Sequence, residues 1–234
     1  MAKGKSVFFE FVEHVVNGEI DEVSRRLAAS PALATAPAEV GATRQRATDF
    51  FIAEIAHYLY AGDTALHMAA AAFRRPIAVL LVAHGANCRA KNRRGAQPLH
   101  YAADANRWDP EAQAGTIEYL LSVGADPNAL DKSGVAPLHR AVRTRSLPAV
   151  RALLDGGADP RGPNKSGLTP LHLAVQTTGR GGSGSEHARQ QQAGIIRLLL
   201  ERGASSTDKD GRGKQVSQTV MSERIRTLLM GGPG

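Results

Sequence analysis

Four histidines, at positions 67, 100, 139 and 172, each close a six-residue phrase that begins with glycine and ends in Leu-His. The phrases are Gly62-Asp63-Thr64-Ala65-Leu66-His67, Gly95-Ala96-Gln97-Pro98-Leu99-His100, Gly134-Val135-Ala136-Pro137-Leu138-His139 and Gly167-Leu168-Thr169-Pro170-Leu171-His172. Their spacings are 33, 39 and 33 residues, and a second landmark, Gly-Ala, recurs at Gly85, Gly124, Gly157 and Gly203 with spacings of 39, 33 and 46. A period of 33 with insertions constrains the fold strongly. Each unit is too small to bury its own apolar face, so units must stack and share a core with their neighbours. From each histidine to the following Gly-Ala the distances are 18, 24, 18 and 31, which places 6 extra residues in one repeat and 13 in another.

Between the two landmarks the chain reads as two short helices. Leu-His-x-Ala-Ala or Leu-His-x-Ala-Val opens the first, and Ile or Val followed by x-x-Leu-Leu marks the second, as in Ile77–Leu81, Ile117–Leu121, Val150–Leu154 and Ile196–Leu200. Apolar residues at i, i+3 and i+4 predict helices apolar on one face, each stopped by the glycine that follows. Val7–Val16 and Glu19–Ala29 read as a further helix pair joined at Asn17-Gly18, and residues 30–43, rich in Ala and Pro, as a loop. Arg44–Tyr60 returns to a helical pattern through Phe50, Phe51, Ile55 and Leu59, and an extra helix there would cover the apolar face of the first full repeat.

These phrases resemble the Thr-Pro-Leu-His-x-Ala signature and Gly-Ala-Asp turn of ankyrin repeats, over about residues 62–210. The resemblance implies an all-α ankyrin-repeat solenoid of stacked helix-turn-helix units with short hairpin fingers and an N-terminal helical cap. The expected divisions are a cap over 1–61, repeats over 62–94, 95–133, 134–166 and 167–210, and a C-terminal capping repeat over 211–234. The signature is imperfect, since Ala65 stands where the family has Pro, and Gln97 and Ala136 where it has Thr, which predicts weaker capping of those turns. Richness in Ala, Arg and Gly is compatible with GC-rich bacterial coding, and the chain looks like a bacterial-type ankyrin protein with insertions in two repeats.

Charge is unevenly placed. The segments joining repeats, 87–95, 128–134, 161–167 and 206–214, hold ten cations (Arg89, Lys91, Arg93, Arg94, Lys132, Arg161, Lys165, Lys209, Arg212, Lys214) and three acids (Asp131, Asp208, Asp210). That difference equals the whole formal charge of +7, leaving 19 cations and 19 acids elsewhere. In an ankyrin stack such segments form one rim of a concave surface, and Arg140, Arg143 and Arg145 add to it. Carrying over the family's recognition positions and adding chain-specific residues makes Arg93, Arg94, Asp104, Trp108, Lys132, Arg143, Arg145, Lys165 and Gln176 the candidate partner-binding residues. Trp108, the only tryptophan, lies in the six-residue insertion, where it either anchors a partner or packs on its own repeat.

Other chemistries are thinly supported. The repeat histidines cannot converge on one metal, because neighbouring helices lie ~8–10 Å apart and zinc–nitrogen bonds are ~2 Å; in the family these are structural turn residues. Gly179–Ser185 contains a G-x-G-x-x-G string, but it follows a helix and lacks the lysine of a phosphate loop, leaving a flexible or partner-contacting insertion and, more remotely, an anion nest. Cys88 lies among Arg89, Lys91 and Arg93, neighbours that would lower its thiol pKa, yet no partner base can be assigned. No G-x-S-x-G or H-E-x-x-H motif occurs. One cysteine forbids an intrachain disulfide and points to a reducing compartment. The charged start lacks an uninterrupted apolar stretch, so no signal peptide is read, and no run approaches the ~20 apolar residues of a membrane helix.

The expectation is therefore a cytoplasmic, monomeric, non-catalytic protein-protein interaction module without cofactor or metal, binding an acidic surface or peptide of another protein. The alternative is nucleic acid or a phosphorylated small ligand, held by the same cations with Tyr58, Tyr60, Tyr101 and Trp108 as stacking platforms.

Overall fold

Ser6 and Gly18 bracket the first helix for opposite reasons. The Ser6 hydroxyl accepts from the Phe9 amide at 3.2 Å, and Gly18 at φ +84° takes the left-handed turn that a side chain would resist. The computed structural model describes residues 6–104, 109–176 and 184–231. They fall into two compact units, Met1–Asp126 and Pro127–Gly234.

In the first unit the helices are α1 (Val7–Asn17), α2 (Ile20–Ala29), α3 (Ala65–Ala71), α4 (Arg75–Ala83), α5 (Pro98–Ala103) and α6 (Pro110–Ser122). They pair as α1–α2, α3–α4 and α5–α6, and the pairs stack, α1 on α3 on α5 and α2 on α4 on α6. Phe11, Val12, Val15, Val23 and Leu27 meet the layer that includes Leu66, Met68, Ile77 and Leu81, each such burial contributing roughly 1.5–3 kcal/mol. Arg74 ties the first pair to the second, its guanidinium donating to the carbonyls of Val16 at 3.0 Å and Asn17 at 3.2 Å that α1 leaves unpaired.

The first helices depart from the expected single apolar face. Every residue of α3 and of α5 is buried, which their alanines permit by letting neighbours approach closely from all sides. The extra helix expected over 44–60 is also absent. Strands β1 (Phe51–Ile52) and β2 (His57–Tyr58) pair antiparallel, Phe51 opposite Tyr58, with short 3-10 turns at Thr48–Phe50 and Ala53–Ile55. The chain before them lies alongside the chain after them, through Ala42 N to Leu59 O at 2.8 Å, Ala38 N to Asp63 O at 2.7 Å and Gly62 N to Ala38 O at 2.8 Å. Backbone groups satisfied in this ribbon have no need of an i to i−4 ladder, and the aromatic and β-branched pairs favour the extended form. Ile52, Ile55 and Leu59 are buried while Phe51 stays 43% exposed. The pair α1–α2, not the hairpin, covers the outer face of α3–α4.

The second unit holds α7 (Pro137–Thr144), α8 (Leu147–Asp155), α9 (Pro170–Ala174), α10 (Glu186–Glu201), α11 (Val216–Thr219) and α12 (Glu223–Leu229). Here α7 packs on α9 and α9 on α11, with α8 on α10 and α10 on α12. Leu138, Val142, Leu153, Leu171, Ile196, Leu199, Val216 and Ile225 form the core.

Part of each insertion is helix. The second helices α4 and α8 have 9 residues, whereas α6 has 13 and α10 has 16. Each lengthened helix begins with an Asp or Ser cap, Asp109 on Ala112 N at 3.1 Å and Ser185 on Ala188 N at 3.2 Å. Each carries a buried glutamine that reaches back to the end of the first helix, Gln113 to the Ala102 carbonyl at 2.9 Å and Gln192 to those of Ala174 at 2.8 Å and Gln176 at 2.7 Å.

The repeat histidines hold the stack together. Nδ1 of His67, His100, His139 and His172 accepts from the backbone N–H three residues earlier at 3.0–3.2 Å. With Nδ1 accepting, Nε2 carries the hydrogen and donates to the next repeat, as from His67 to Ala96 O at 3.1 Å, His139 to Leu168 O at 3.1 Å and His172 to Lys214 O at 3.5 Å. The missing Thr at 97 and 136 is thus offset by the histidine, which caps each turn itself.

Candidate interaction surface

The fingers owe their shape to one acidic or amide side chain each. Asn92, Asp131, Asn164 and Asp210 each accept through Oδ1 from the backbone N–H two and four residues on, at 2.8–3.1 Å. The backbone N–H of each donates in turn to the carbonyl four residues on, at 2.9–3.1 Å in Asp131 and Asp210 and 3.0 Å in Asn92 and Asn164. Such Asx turns leave the two residues between the Asx and the following glycine at the tip. Arg93, Arg94, Lys132, Lys165 and Arg212 occupy these tip positions and all are exposed.

Within each unit neighbouring turns touch. A Cβ on Gly134 would lie 2.7 Å from the Lys165 amide nitrogen, and one on Gly167 2.1 Å from that of Gly211. In the first unit the Arg93 amide donates to the Ala61 carbonyl at 2.9 Å, and a Cβ on Gly62 would lie 2.9 Å from the Asn92 Cα. Glycine at these positions answers two demands together, positive φ and close approach.

Not every cation expected on the surface is open. Arg140 and Asp131 form an ion pair at 3.0 Å, each about a tenth exposed. Arg161 pairs with Asp208 of the next finger. Arg89 donates to the Gly124 carbonyl at 2.6 Å and so ends α6. Arg145 stands at φ +58° at the end of α7, partly buried, and donates to the Gln176 carbonyl at 3.5 Å; these two candidates are brought together, as parts of a helix-end network with Gln192. Arg143 lies exposed on α7, and Asp104 ends α5 with its N–H on the Tyr101 carbonyl at 3.2 Å. Trp108, and residues 179–183 of the glycine string, lie outside the described residues.

The first unit gathers the densest cluster. Arg93 and Arg94 both stand over the Tyr60 ring, their guanidinium carbons 5.3 and 5.0 Å from its centroid. Arg93 also donates to the Ala42 carbonyl. Beneath them Asp63 is fully buried and accepts from the Tyr60 N–H at 2.6 Å, Asn92 Nδ2 at 2.8 Å and the Tyr101 hydroxyl at 3.0 Å. Burial raises the Asp63 pKa to about 6, against the lowering effect of those hydrogen bonds and of Arg93. His57 stacks on Tyr101 at 4.6 Å, so the hairpin lies on α5. In this unit, then, the first helix offers no open wall, and Tyr101, 2% exposed, is no stacking platform.

From sequence Tyr60 is named only as a stacking platform for nucleic acid, and Asp63 and Ala42 are not singled out, because they belong to a repeat turn and to a stretch read as a loop. Neighbouring arginines do not activate Cys88. Its sulfur lies 3.4 Å from the Val123 carbonyl, and burial pushes the thiol up. Among the described residues no group of three His, Cys, Asp or Glu is placed to hold a metal, and no helix is long and apolar enough to cross a membrane.

Comparison with known proteins agrees with this architecture. A profile of ankyrin repeats in three copies matches residues 111–210, and a single ankyrin-repeat profile matches residues 61–93. The chain is 36% identical over 52 residues to an ankyrin repeat protein of fowlpox virus (strain NVSL). That stretch is 22% of this chain and 8% of the viral protein, so the chain spans a small part of that relative's length. The likeness is to a viral protein and carries no sign of a bacterial source.

Proposed function

Because the chain belongs to the ankyrin-repeat family, whose profiles together match more than half of it, we propose that it is a non-catalytic binding module for an acidic surface or peptide of another protein. Ankyrin repeats are generally protein-protein interaction modules. The reading beyond that rests on one observation: the Asx turns hold Arg93, Arg94, Lys132, Lys165 and Arg212 at exposed tips, where few neighbouring acids neutralise them. Fixed cations steer an acidic partner and set its association rate and salt dependence. The exposed candidate residues are Arg93, Arg94, Lys132, Arg143, Lys165 and Gln176, with Asp104 at the end of α5 and Trp108 as an anchor. Arg145, a further candidate, is partly buried and donates to the Gln176 carbonyl. A monomer in the cytoplasm is the setting that fits a chain with one cysteine.

Nucleic acid is the weaker partner, since Tyr101 is buried and the Tyr60 ring already carries two arginines. Affinity capture from host lysate, with and without nuclease and eluted by rising salt, tests the reading beside a variant carrying Arg94→Glu, Lys132→Glu and Lys165→Glu. A nuclease-resistant protein retained by the unaltered chain and lost by the variant is expected. Capture that disappears with nuclease, or a protein bound equally by the variant, overturns it.

A further inference from the structure

The cluster on Tyr60 is more specific than a basic patch. Asp63 accepts from the Tyr60 N–H, Asn92 Nδ2 and the Tyr101 hydroxyl at 2.6–3.0 Å, which locks the chain after the hairpin, the 87–95 finger and α5 into one piece. Arg93 is held by the Ala42 carbonyl and the Tyr60 ring. Arg94 is held by the ring alone; among the described residues its guanidinium meets no carboxylate or carbonyl within hydrogen-bond distance, and the residue is exposed. A guanidinium carries five N–H donors in a planar fork that matches a carboxylate in two parallel hydrogen bonds. Holding the fork against a ring in advance lowers the ordering cost of binding. Locally there are two guanidinium groups and one buried carboxylate, Asp63, which leaves one positive charge unmatched. The ring faces that would stack a base are the ones the arginines approach.

We infer that Arg94, set beside Arg93 on Tyr60, forms a carboxylate-binding subsite that takes one Asp or Glu side chain of a protein partner. The inference rests on the acidic-partner reading above and adds the contact that fixes register on the first unit. Tyr60 acts as a positioning residue, holding the guanidinium fork outward. Asp63 anchors Tyr60 from below.

The test uses the whole chain with arginine side-chain N–H resonances followed by NMR at low salt. The probes are an acetylated hexaglutamate amide, its hexaglutamine counterpart and a thymidine hexanucleotide. Hexaglutamate is expected to move the Arg94 side-chain resonance, and hexaglutamine to leave it. Arg94→Lys keeps the charge and loses the fork, so it is expected to weaken hexaglutamate at least about fivefold. Tyr60→Leu is expected to act in the same direction and Tyr60→Phe to retain binding, with thermal unfolding confirming that each variant folds. Hexaglutamate binding that Arg94→Lys leaves unchanged overturns the subsite while the acidic-partner reading stands. No hexaglutamate binding by the unaltered chain overturns both. A hexanucleotide bound more tightly than hexaglutamate, and weakened more by Arg94→Lys, overturns the carboxylate assignment in favour of nucleic acid.

Discussion

His67 Nε2 lies 3.1 Å from the carbonyl oxygen of Ala96, 29 residues away, while its Nδ1 accepts from the Thr64 amide at 3.0 Å. One neutral ring therefore caps its own helix and fastens the next repeat. Protonation would turn the accepting nitrogen into a donor facing a donor.

Burial lowers the His67 pKa from 6.5 to about 4, and burial likewise lowers that of His139. Between those values the unfolded chain takes up a proton that the folded chain refuses. Stability from His67 is thus present above pH 6.5 and is lost as pH falls toward 4, by on the order of 3 kcal/mol. Asp63 runs the other way: its folded pKa of about 6 lies above the usual 3.8, so its contribution is present below pH 3.8 and lost as pH rises through 6. In the 211–234 region Gln218 Oε1 accepts from the Gln215 amide at 2.9 Å, in the histidine's place. His67→Gln is accordingly expected to fold and to flatten the acid side of the stability profile, measured by urea unfolding from pH 7 to 4. An unchanged profile would remove His67 as the titrating group.

Gln192→Ala is expected to cost about 1–3 kcal/mol, because it strips donors from the carbonyls of Ala174 and Gln176 at the end of α9. The same substitution at Gln190, exposed on the same helix, is expected to change stability by less than about 0.5 kcal/mol. Thermal unfolding of the two variants side by side checks this, and equal midpoints would show the α9 carbonyls satisfied without Gln192.

Gly134 and Gly124 separate backbone strain from crowding. Both have positive φ, +71° and +92°, but an added Cβ meets Lys165 backbone at 2.7 Å from Gly134 and nothing within 4 Å from Gly124. Gly124→Ala is expected to cost about 1–2 kcal/mol from the left-handed backbone alone. Gly134→Ala is expected to cost more, since the next finger must also shift. Denaturant midpoints give the comparison, and equal losses would mean that the fingers yield freely.

Arg94→Glu, Lys132→Glu and Lys165→Glu together are expected to leave the thermal midpoint nearly unchanged, as exposed charges contribute little to stability, while abolishing partner capture. Arg93 does not belong in that set. It donates to Ala42, stacks on Tyr60 and faces Asp63, so Arg93→Glu would place a second acid beside a buried one and is expected to lower the midpoint measurably in the same melt.

The 33-residue period, the second-helix Leu-Leu pairs and the glycine stops made the ankyrin-repeat family and its all-α helix pairs legible, because a repeat unit is specified by local spacing and by contacts with its immediate neighbours. The Asx residues at 92, 131, 164 and 210 and the repeated Gln-Ala-Gly at 113–115 and 192–194 were present in that same text. Their phase within the repeat is the signal that locates finger tips and helix-end caps. The hairpin of residues 51–58 was not readable in this way: Phe50, Phe51, Ile55 and Leu59 fit a helical spacing, and only pairing with the 38–42 segment and stacking on Tyr101 select the extended form. Which cations stay open is likewise a tertiary matter. Charge is a property of composition, but Arg140, Arg161, Arg89 and Arg145 were engaged by partners 9 to 47 residues away, whereas Arg94 was left exposed on a ring supplied by Tyr60, just after the hairpin and 34 residues earlier in the chain. Local periodicity determines the stack; long-range packing decides which of its side chains remain to meet a partner.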